Sequence, residues 1–256
     1  MQDLFRLDDR IAVVVGGGGG IGRHLAKGLA CYGAKVVIAS RNLEALKGIA
    51  KELQAETGSE VVACQVDVTN EESVAKLKNE VVSSFGKVDI LVNSQGYNAK
   101  SPATEFPEKE WNMLFDINVK GIMLTCREFG KVMIERRKGK VINVSSVRGA
   151  RVTKWPGNLG YCTTKSAVDM LTKVLAAEWA PYNVNVNAIA PAIVDTGFAP
   201  TFKDPQRLKL YLESIPLGRI EKPEDIIGTC IFLASPASDY ITGQIIYVDG
   251  GLTVIG

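Results

Sequence analysis

Across 256 residues the chain carries a single histidine, His24. One histidine cannot build a His-rich zinc site, and it leaves a Ser-His-Asp hydrolase without support. Cysteine is also sparse. Cys31, Cys64, Cys126, Cys162 and Cys230 are scattered, odd in number and without a C-x-x-C pair. They read as small core residues in a reducing compartment, neither a disulfide frame nor a metal site. Charge of one sign is missing too: 30 Lys and Arg stand against 28 Asp and Glu, a formal net charge of +2. No basic stripe marks a nucleic-acid surface. No run approaches the roughly 18 apolar residues of a membrane span. The start, Met1 to Arg10, is mixed and charged, unlike a signal peptide. The expectation is a soluble, cytoplasmic protein that holds no metal and binds neither nucleic acid nor membrane.

What is present is a hydrophobic content of 46%, enough to fill a sizeable core. Short β-branched runs alternate with longer helical patterns. Ile11–Val15, Lys35–Ala39, Val61–Val66, Val88–Val92, Lys140–Val144, Val184–Ile189 and Gln244–Val248 read as strands, several of them apolar on both faces. Helices fit Ile21–Tyr32, Leu43–Glu56, Glu71–Phe85, Lys109–Arg136, Leu159–Ala180 and Pro223–Ala234. Thr69-Asn70-Glu71-Glu72 and Lys222-Pro223-Glu224-Asp225 are helix starts, with early acids facing the positive end of the dipole. The alternation predicts an α/β fold: one doubly wound, Rossmann-type domain over residues 1–256, with a mostly parallel seven-stranded sheet flanked by helices. Residues 193–218 interrupt it with Pro200, Pro205 and Pro216 around a helical piece near Gln206–Ser214. Following a strand end, this span is a candidate substrate lid, or else an ordinary surface excursion.

The first strand runs into Gly16-Gly17-Gly18-Gly19-Gly20-Ile21-Gly22 and then a helix. Glycines in that context let a backbone turn tightly, let a diphosphate approach its N–H groups and leave the helix N-terminus facing the anion. At the end of the second strand an NAD site usually places Asp or Glu, to grip the ribose 2′-hydroxyl. Here the chain reads Ala39-Ser40-Arg41-Asn42. Arg41 can pair with a 2′-phosphate and Ser40 can donate to it, which favours NADP(H).

A second polar stretch runs from Ser146 to Lys165. Tyr161 and Lys165 are four residues apart, so on a helix they share one face, roughly 6 Å apart at Cβ. A free phenol has a pKa of about 10; an ammonium held close by favours the phenolate, and a tyrosine tuned in this way can give or take a proton. Ser146 is placed to hold the oxygen of a reacting carbonyl or alcohol. The intervening loop carries Arg148, Arg151 and Lys154 beside Trp155 and no acid. Three cations there suit a carboxylate or phosphate on a substrate, or else form a solvated basic loop. Arg148, two residues past Ser146, is the best single candidate for the anion contact.

Together these motifs resemble the short-chain dehydrogenase/reductase family, over essentially the whole chain. Val15 to Gly22 matches the family's Thr-Gly-x-x-x-Gly-x-Gly, with valine for the threonine, so Gly16, Gly20, Ile21 and Gly22 are the expected diphosphate cradle. The resemblance makes Asp67 and Val68 adenine contacts. It makes Asn93 and Gly96 cofactor contacts within Asn93-Ser94-Gln95-Gly96, where Gln95 puts bulk at a position the family keeps small. It assigns Pro191, Val194 and Thr196 to the nicotinamide half, with Ala192 replacing a glycine. The implied catalytic set is Asn118, Ser146, Tyr161 and Lys165. Of the neighbours Ser145 and Ser146, only one can face the site, and the family pattern selects Ser146. By the family's mechanism Tyr161 is the general acid/base, and Ser146 polarises the substrate oxygen. Lys165 lowers the tyrosine pKa and holds the ribose, and Asn118 fixes a water that links Lys165 to solvent.

Ala176-Ala177-Glu178-Trp179-Ala180 and the tail from Gly228 to Gly251 are similar to the gluconate 5-dehydrogenase subgroup. The 3-oxoacyl-(acyl-carrier-protein) reductases are the alternative subgroup. A nucleotide-sensing or scaffold protein on the same fold is the non-enzymatic alternative, and the intact set of four residues argues against it. The implied partners are a small carbonyl or alcohol substrate and three further copies of the chain, in a homotetramer built on the last helices and strand.

Overall fold

The computed structural model describes residues 3–197 and 204–255. Its elements run β1 (Ile11–Val15), α1 (Gly20–Cys31), β2 (Lys35–Ser40), α2 (Leu43–Thr57), β3 (Val61–Gln65), α3 (Glu71–Phe85) and β4 (Ile90–Asn93). They continue with α4 (Glu108–Phe115), α5 (Gly121–Glu135), β5 (Gly139–Val144), α6 (Leu159–Trp179), β6 (Val184–Pro191), α7 (Pro205–Glu213), α8 (Pro223–Ala234) and β7 (Ile245–Val248). The seven strands form one sheet in the order β3-β2-β1-β4-β5-β6-β7, and every pairing is parallel.

The strands are apolar throughout because both faces are covered. In β1, Ala12 and Val14 join a core with Leu25 and Leu29 of α1, Leu46 of α2 and Ile226 and Ile231 of α8. Ile11, Val13 and Val15 point the other way, to Leu77 of α3, Ile122 and Phe129 of α5 and Val168 of α6. A period of two thus feeds two layers from one strand. Short-range chemistry sets the helix ends. The Asn42 and Asn70 side chains accept from the N–H of Ala45 and Ser73, capping α2 and α3, and both helices stop at a left-handed glycine, Gly58 and Gly86. At the start of α8, Asp225 accepts from the Lys222 N–H at 2.8 Å.

The span expected as one helix, Lys109–Arg136, is instead α4, a π-turn over Asp116–Lys120, and α5. The wider turn brings Asn118 fully inside. Such single-turn insertions leave the apolar period almost intact, so the pattern alone did not reveal one. Of the span 193–218, residues 198–203, Pro200 among them, lie outside the described residues. Its helical piece is α7. Tyr211 of α7 is buried, accepts from the Ile193 N–H at 2.9 Å and packs with Val147, Ile215 and Leu252.

Candidate active site

From β1 the chain winds outward to β2 and β3; from β4 it winds the other way to β7. The C-terminal ends of β1 and β4 therefore open into a crevice where the strand order reverses, the usual ligand position in such sheets. Two cavities occupy it. One, about 500 Å3, is bordered by Gly16, Gly20, Ile21 and Gly22, by Ser146, Arg148, Tyr161 and Lys165, and by Pro191, Val194 and Thr196. The other, about 440 Å3, is bordered by Ser40, Arg41, Asp67 and Val68. Gly16 and Gly96 border both.

The first cavity holds the proton chemistry. Ser146 follows β5, and its Oγ accepts from the Arg148 N–H at 3.2 Å. Tyr161 lies in the first turn of α6, and Lys165 lies one turn on, its Nζ donating to the Val144 carbonyl at 2.7 Å. Burial pushes the Tyr161 phenol up; the Ser146 hydroxyl and the positive charge of Arg148 pull it down, and Cys162 adds to the rise. Burial lowers Lys165 to about 8, with Asp169 opposing the shift. At neutral pH the site therefore holds a protonated phenol beside a charged ammonium.

The Lys165 Nζ stands 5.6 Å from the centroid of the Tyr161 ring, and Ser146 and Arg148 also favour the phenolate. Ser145 also borders the cavity, but its hydroxyl reaches back to the Lys165 carbonyl at 3.4 Å.

The Asn118 Oδ1 accepts from the Tyr97 N–H at 2.7 Å, and its Nδ2 donates to the Tyr97 carbonyl and to Thr164 Oγ1. Asn118 thus clamps the loop after β4 onto α6 with both amide hydrogens and one lone pair of Oδ1, and the second lone pair of Oδ1 is left to accept. It is a positioning residue. Asn93 donates to Asn143 Oδ1 at 2.9 Å and accepts from Thr125 Oγ1 at 2.7 Å, fully buried beneath the crevice. It ties β4 to β5 and α5; Ser94, Gln95 and Gly96 are the residues of that segment that meet the cavities.

The basic loop divides. Arg148 borders the cavity, with Nη1 donating to the Val152 carbonyl at 3.0 Å. Arg151 turns away and holds the C-terminal carbonyls of Leu252 and Ile255. Lys154 is exposed. A cation the sequence reading missed, Lys100, takes their place at the cavity wall along with Asn98 and Asn158. Its signal was position: the loops that follow strand ends border the crevice in this fold. Among the described residues the cavity is lined by the cations Lys100, Arg148 and Lys165 and by no carboxylate.

The residues fit a nicotinamide dinucleotide. A Cβ on Gly16 would stand 2.6 Å from the Gln95 nitrogen, and one on Gly20 2.6 Å from Thr196 Cγ2, so the turn has room for backbone alone. Helix α1 starts at Gly20 without a side-chain cap, leaving its first N–H groups for an anion. In the second cavity Asp67 is held acidic by its hydrogen bonds from Thr69 and by nearby Arg41. Arg41 is exposed and has no ion-pair partner among the described residues.

The family profile described as enoyl-(acyl carrier protein) reductase matches residues 16–253. A galactitol 2-dehydrogenase (L-tagatose-forming) of Cereibacter sphaeroides is 37% identical over 254 residues, 99% of this chain and 98% of that protein. A 3-oxoacyl-(acyl-carrier-protein) reductase of Chlamydia muridarum is 36% identical over 246 residues, 96% of this chain and 98% of that protein. The crystal structure of a gluconate 5-dehydrogenase from Burkholderia cenocepacia, in complex with NADP and tartrate, aligns with a TM-score of 0.95 at 36% identity and 99% coverage of each chain. Likeness of that length, on a chain that brings Ser146, Tyr161 and Lys165 to one cavity, leads to one conclusion: the chain belongs to the short-chain dehydrogenase/reductase family and is an oxidoreductase acting on CH–OH groups.

Proposed function

We propose that the protein, as one domain, is an NADP-dependent oxidoreductase that interconverts a small hydroxy acid and its keto acid, of the gluconate type. The observation that carries this reading is the lining of the catalytic cavity: Lys100 and Arg148 border it together with Tyr161, with no carboxylate lining it among the described residues. A neutral sugar or ketone has no use for two cations at the cavity wall; a substrate carboxylate does. The solved relative bound to tartrate, itself a hydroxy dicarboxylate, supports the same class.

When bound, the nicotinamide supplies or accepts the hydride. In the reducing direction the Tyr161 phenol gives its proton to the carbonyl oxygen, which the Ser146 hydroxyl holds by a second hydrogen bond. The resulting phenolate is favoured by Ser146 and by the charge of Arg148. Arg148 and Lys100 hold the substrate carboxylate, and Asn118 keeps the loop after β4 fixed to α6. Arg41 and Ser40 hold the 2′-phosphate, Asp67 and Val68 border the adenine, and Pro191, Val194 and Thr196 border the nicotinamide half. Residues 193–218 act as the substrate lid, rooted through Tyr211 on Ile193.

Exposed Met170 and Val174 on α6, together with the open edge of β7, support a homotetramer. Five free thiols suit the cytoplasm.

The test is spectrophotometric: NADPH oxidation against keto-sugar acids, 3-oxoacyl thioesters and simple ketones. Turnover confined to thioesters would turn the reading to acyl reduction, the activity named for the Chlamydia muridarum relative. In the same assay Arg41→Asp is expected to cost NADPH about ten- to a hundred-fold in affinity, since a charge-assisted pair is worth roughly 1.5–3 kcal/mol. Equal affinity of the unmodified protein for NADPH and NADH would refute the NADP assignment.

A further inference from the structure

Gln95 lies two residues past β4 and is only 7% exposed. Neither its Oε1 nor its Nε2 has a hydrogen-bond partner among the described residues. A carboxamide offers two donors and an acceptor oxygen, and buried polar atoms in folded proteins are almost always satisfied. Two orphaned atoms on one buried side chain are a cost to the fold with no return within it. The Ser94 hydroxyl beside it is orphaned as well.

Position supplies the reason. Gln95 borders both cavities, and with Gly16, Gly19 and Gly96 it forms the waist between them. A dinucleotide with its adenosine end at Arg41 and its reactive ring at Tyr161 must pass this waist, and the part that passes is the sugar–diphosphate bridge. That bridge is rich in oxygen acceptors. Gly16, against which the Gln95 backbone packs, leaves one side of the passage without a side chain.

We propose that Gln95 is a cofactor-reading residue whose Nε2 donates to an oxygen of the sugar–diphosphate bridge of a bound nicotinamide dinucleotide. The inference rests on the dinucleotide site described above and adds to it a contact from a side chain. A neutral donor suits the place: it adds to the N–H groups of α1 without introducing a charge. It also links the unliganded and bound states, because the polar atoms that burden the free protein are satisfied when the dinucleotide binds.

Gln95→Met keeps the length of the side chain and removes both polar atoms. Thermal melting of the free variant is expected at or above the wild-type temperature, since two orphaned atoms are gone. Calorimetric titration with NADPH is expected to give a dissociation constant about tenfold weaker, as for one lost hydrogen bond to a charged or polar oxygen. The rise in melting temperature on adding NADPH shrinks accordingly. Adenosine 2′-monophosphate, which has the adenosine end with its 2′-phosphate and no phosphate of the bridge, changes less than about threefold. Gln95→Glu puts a negative charge at the waist and weakens NADPH further than methionine does. Gln95→Ala, which empties the position, repeats the comparison free of any overpacking.

Wild-type affinity for NADPH in both the methionine and alanine variants would overturn the proposal, as would equal losses for NADPH and adenosine 2′-monophosphate. A wild-type protein that binds no dinucleotide would overturn the function proposed above and this contact together. A wild-type protein that binds NADPH no better than its methionine variant would overturn the contact alone.

Discussion

At the scale of single residues, Tyr161 is a loaded acid: burial keeps its proton on at neutral pH, and Ser146 and Arg148 stand ready to favour its loss. Tyr161→Phe keeps the ring and removes the proton. Turnover of any substrate is expected to fall about 10²–10⁴-fold, while NADPH titrates as in the wild type. Retained turnover would remove the phenol from its role. Arg148→Ala is expected to raise KM about tenfold for a keto acid and not for a neutral ketone, because the carboxylate contact is uniform binding, while kcat falls alike for both, because the charge that favours the Tyr161 phenolate serves every substrate. Equal changes in KM for charged and neutral substrates would show that Arg148 serves the loop carbonyl of Val152 and not the substrate carboxylate. Lys100→Ala belongs in the same comparison.

At the scale of elements, two helix glycines have opposite duties. Gly130 of α5 lies under Trp179 at the end of α6, and a Cβ there would stand 2.5 Å from the indole ring. Gly130→Ala is expected to cost about 1–3 kcal/mol in denaturant unfolding, the price of overpacking two fitted helices. Gly48 of α2 is exposed with nothing within 4 Å, and Gly48→Ala is expected to add about 0.4–1 kcal/mol. A stabilised Gly130→Ala would mean that the α5–α6 contact is looser than drawn. The elements themselves were legible because the signals are local: apolar strands such as Ile11–Val15, caps such as Asn42 and Asn70, and the four-residue step from Tyr161 to Lys165. Side-chain direction was not. Asn93 and Asn118 face partners far away in the chain, Asn143 and the Tyr97 backbone, and only the assembled sheet brings those together. Arg151 and Lys100 exchanged places for the same reason: one loop is drawn to the C-terminal tail, and the loop after β4 is drawn over the cavity.

At the scale of the whole molecule, pH acts through Glu221. It is buried, one oxygen accepts from the Ala192 N–H at 2.7 Å, and burial pushes its pKa from the ordinary 4.5 up to about 8, with the Ala192 bond opposing. The folded protein thus keeps a proton that the unfolded chain releases. This contribution to stability is full below about pH 4.5 and is lost as pH rises toward 8, at no more than about 1.4 kcal/mol per pH unit for one proton. Glu221→Gln cannot ionise. Melting temperatures measured from pH 5 to 8.5 are expected to fall more steeply for the wild type than for the variant; parallel curves would exclude Glu221 as the sensitive group.

The strand order has a consequence for synthesis. β1, β2 and β3 are made first and can pair at once, but the other edge of β1 belongs to β4, which comes only after α3. Until residues beyond Gly86 leave the ribosome, Ala12 to Val15 form an open, apolar strand edge in a half-built sheet. Edges of this kind pair with whatever strand is nearest, and distant parallel pairings close slowly. The strand that will later anchor the crevice is thus the one most exposed to misassembly while the chain is still growing.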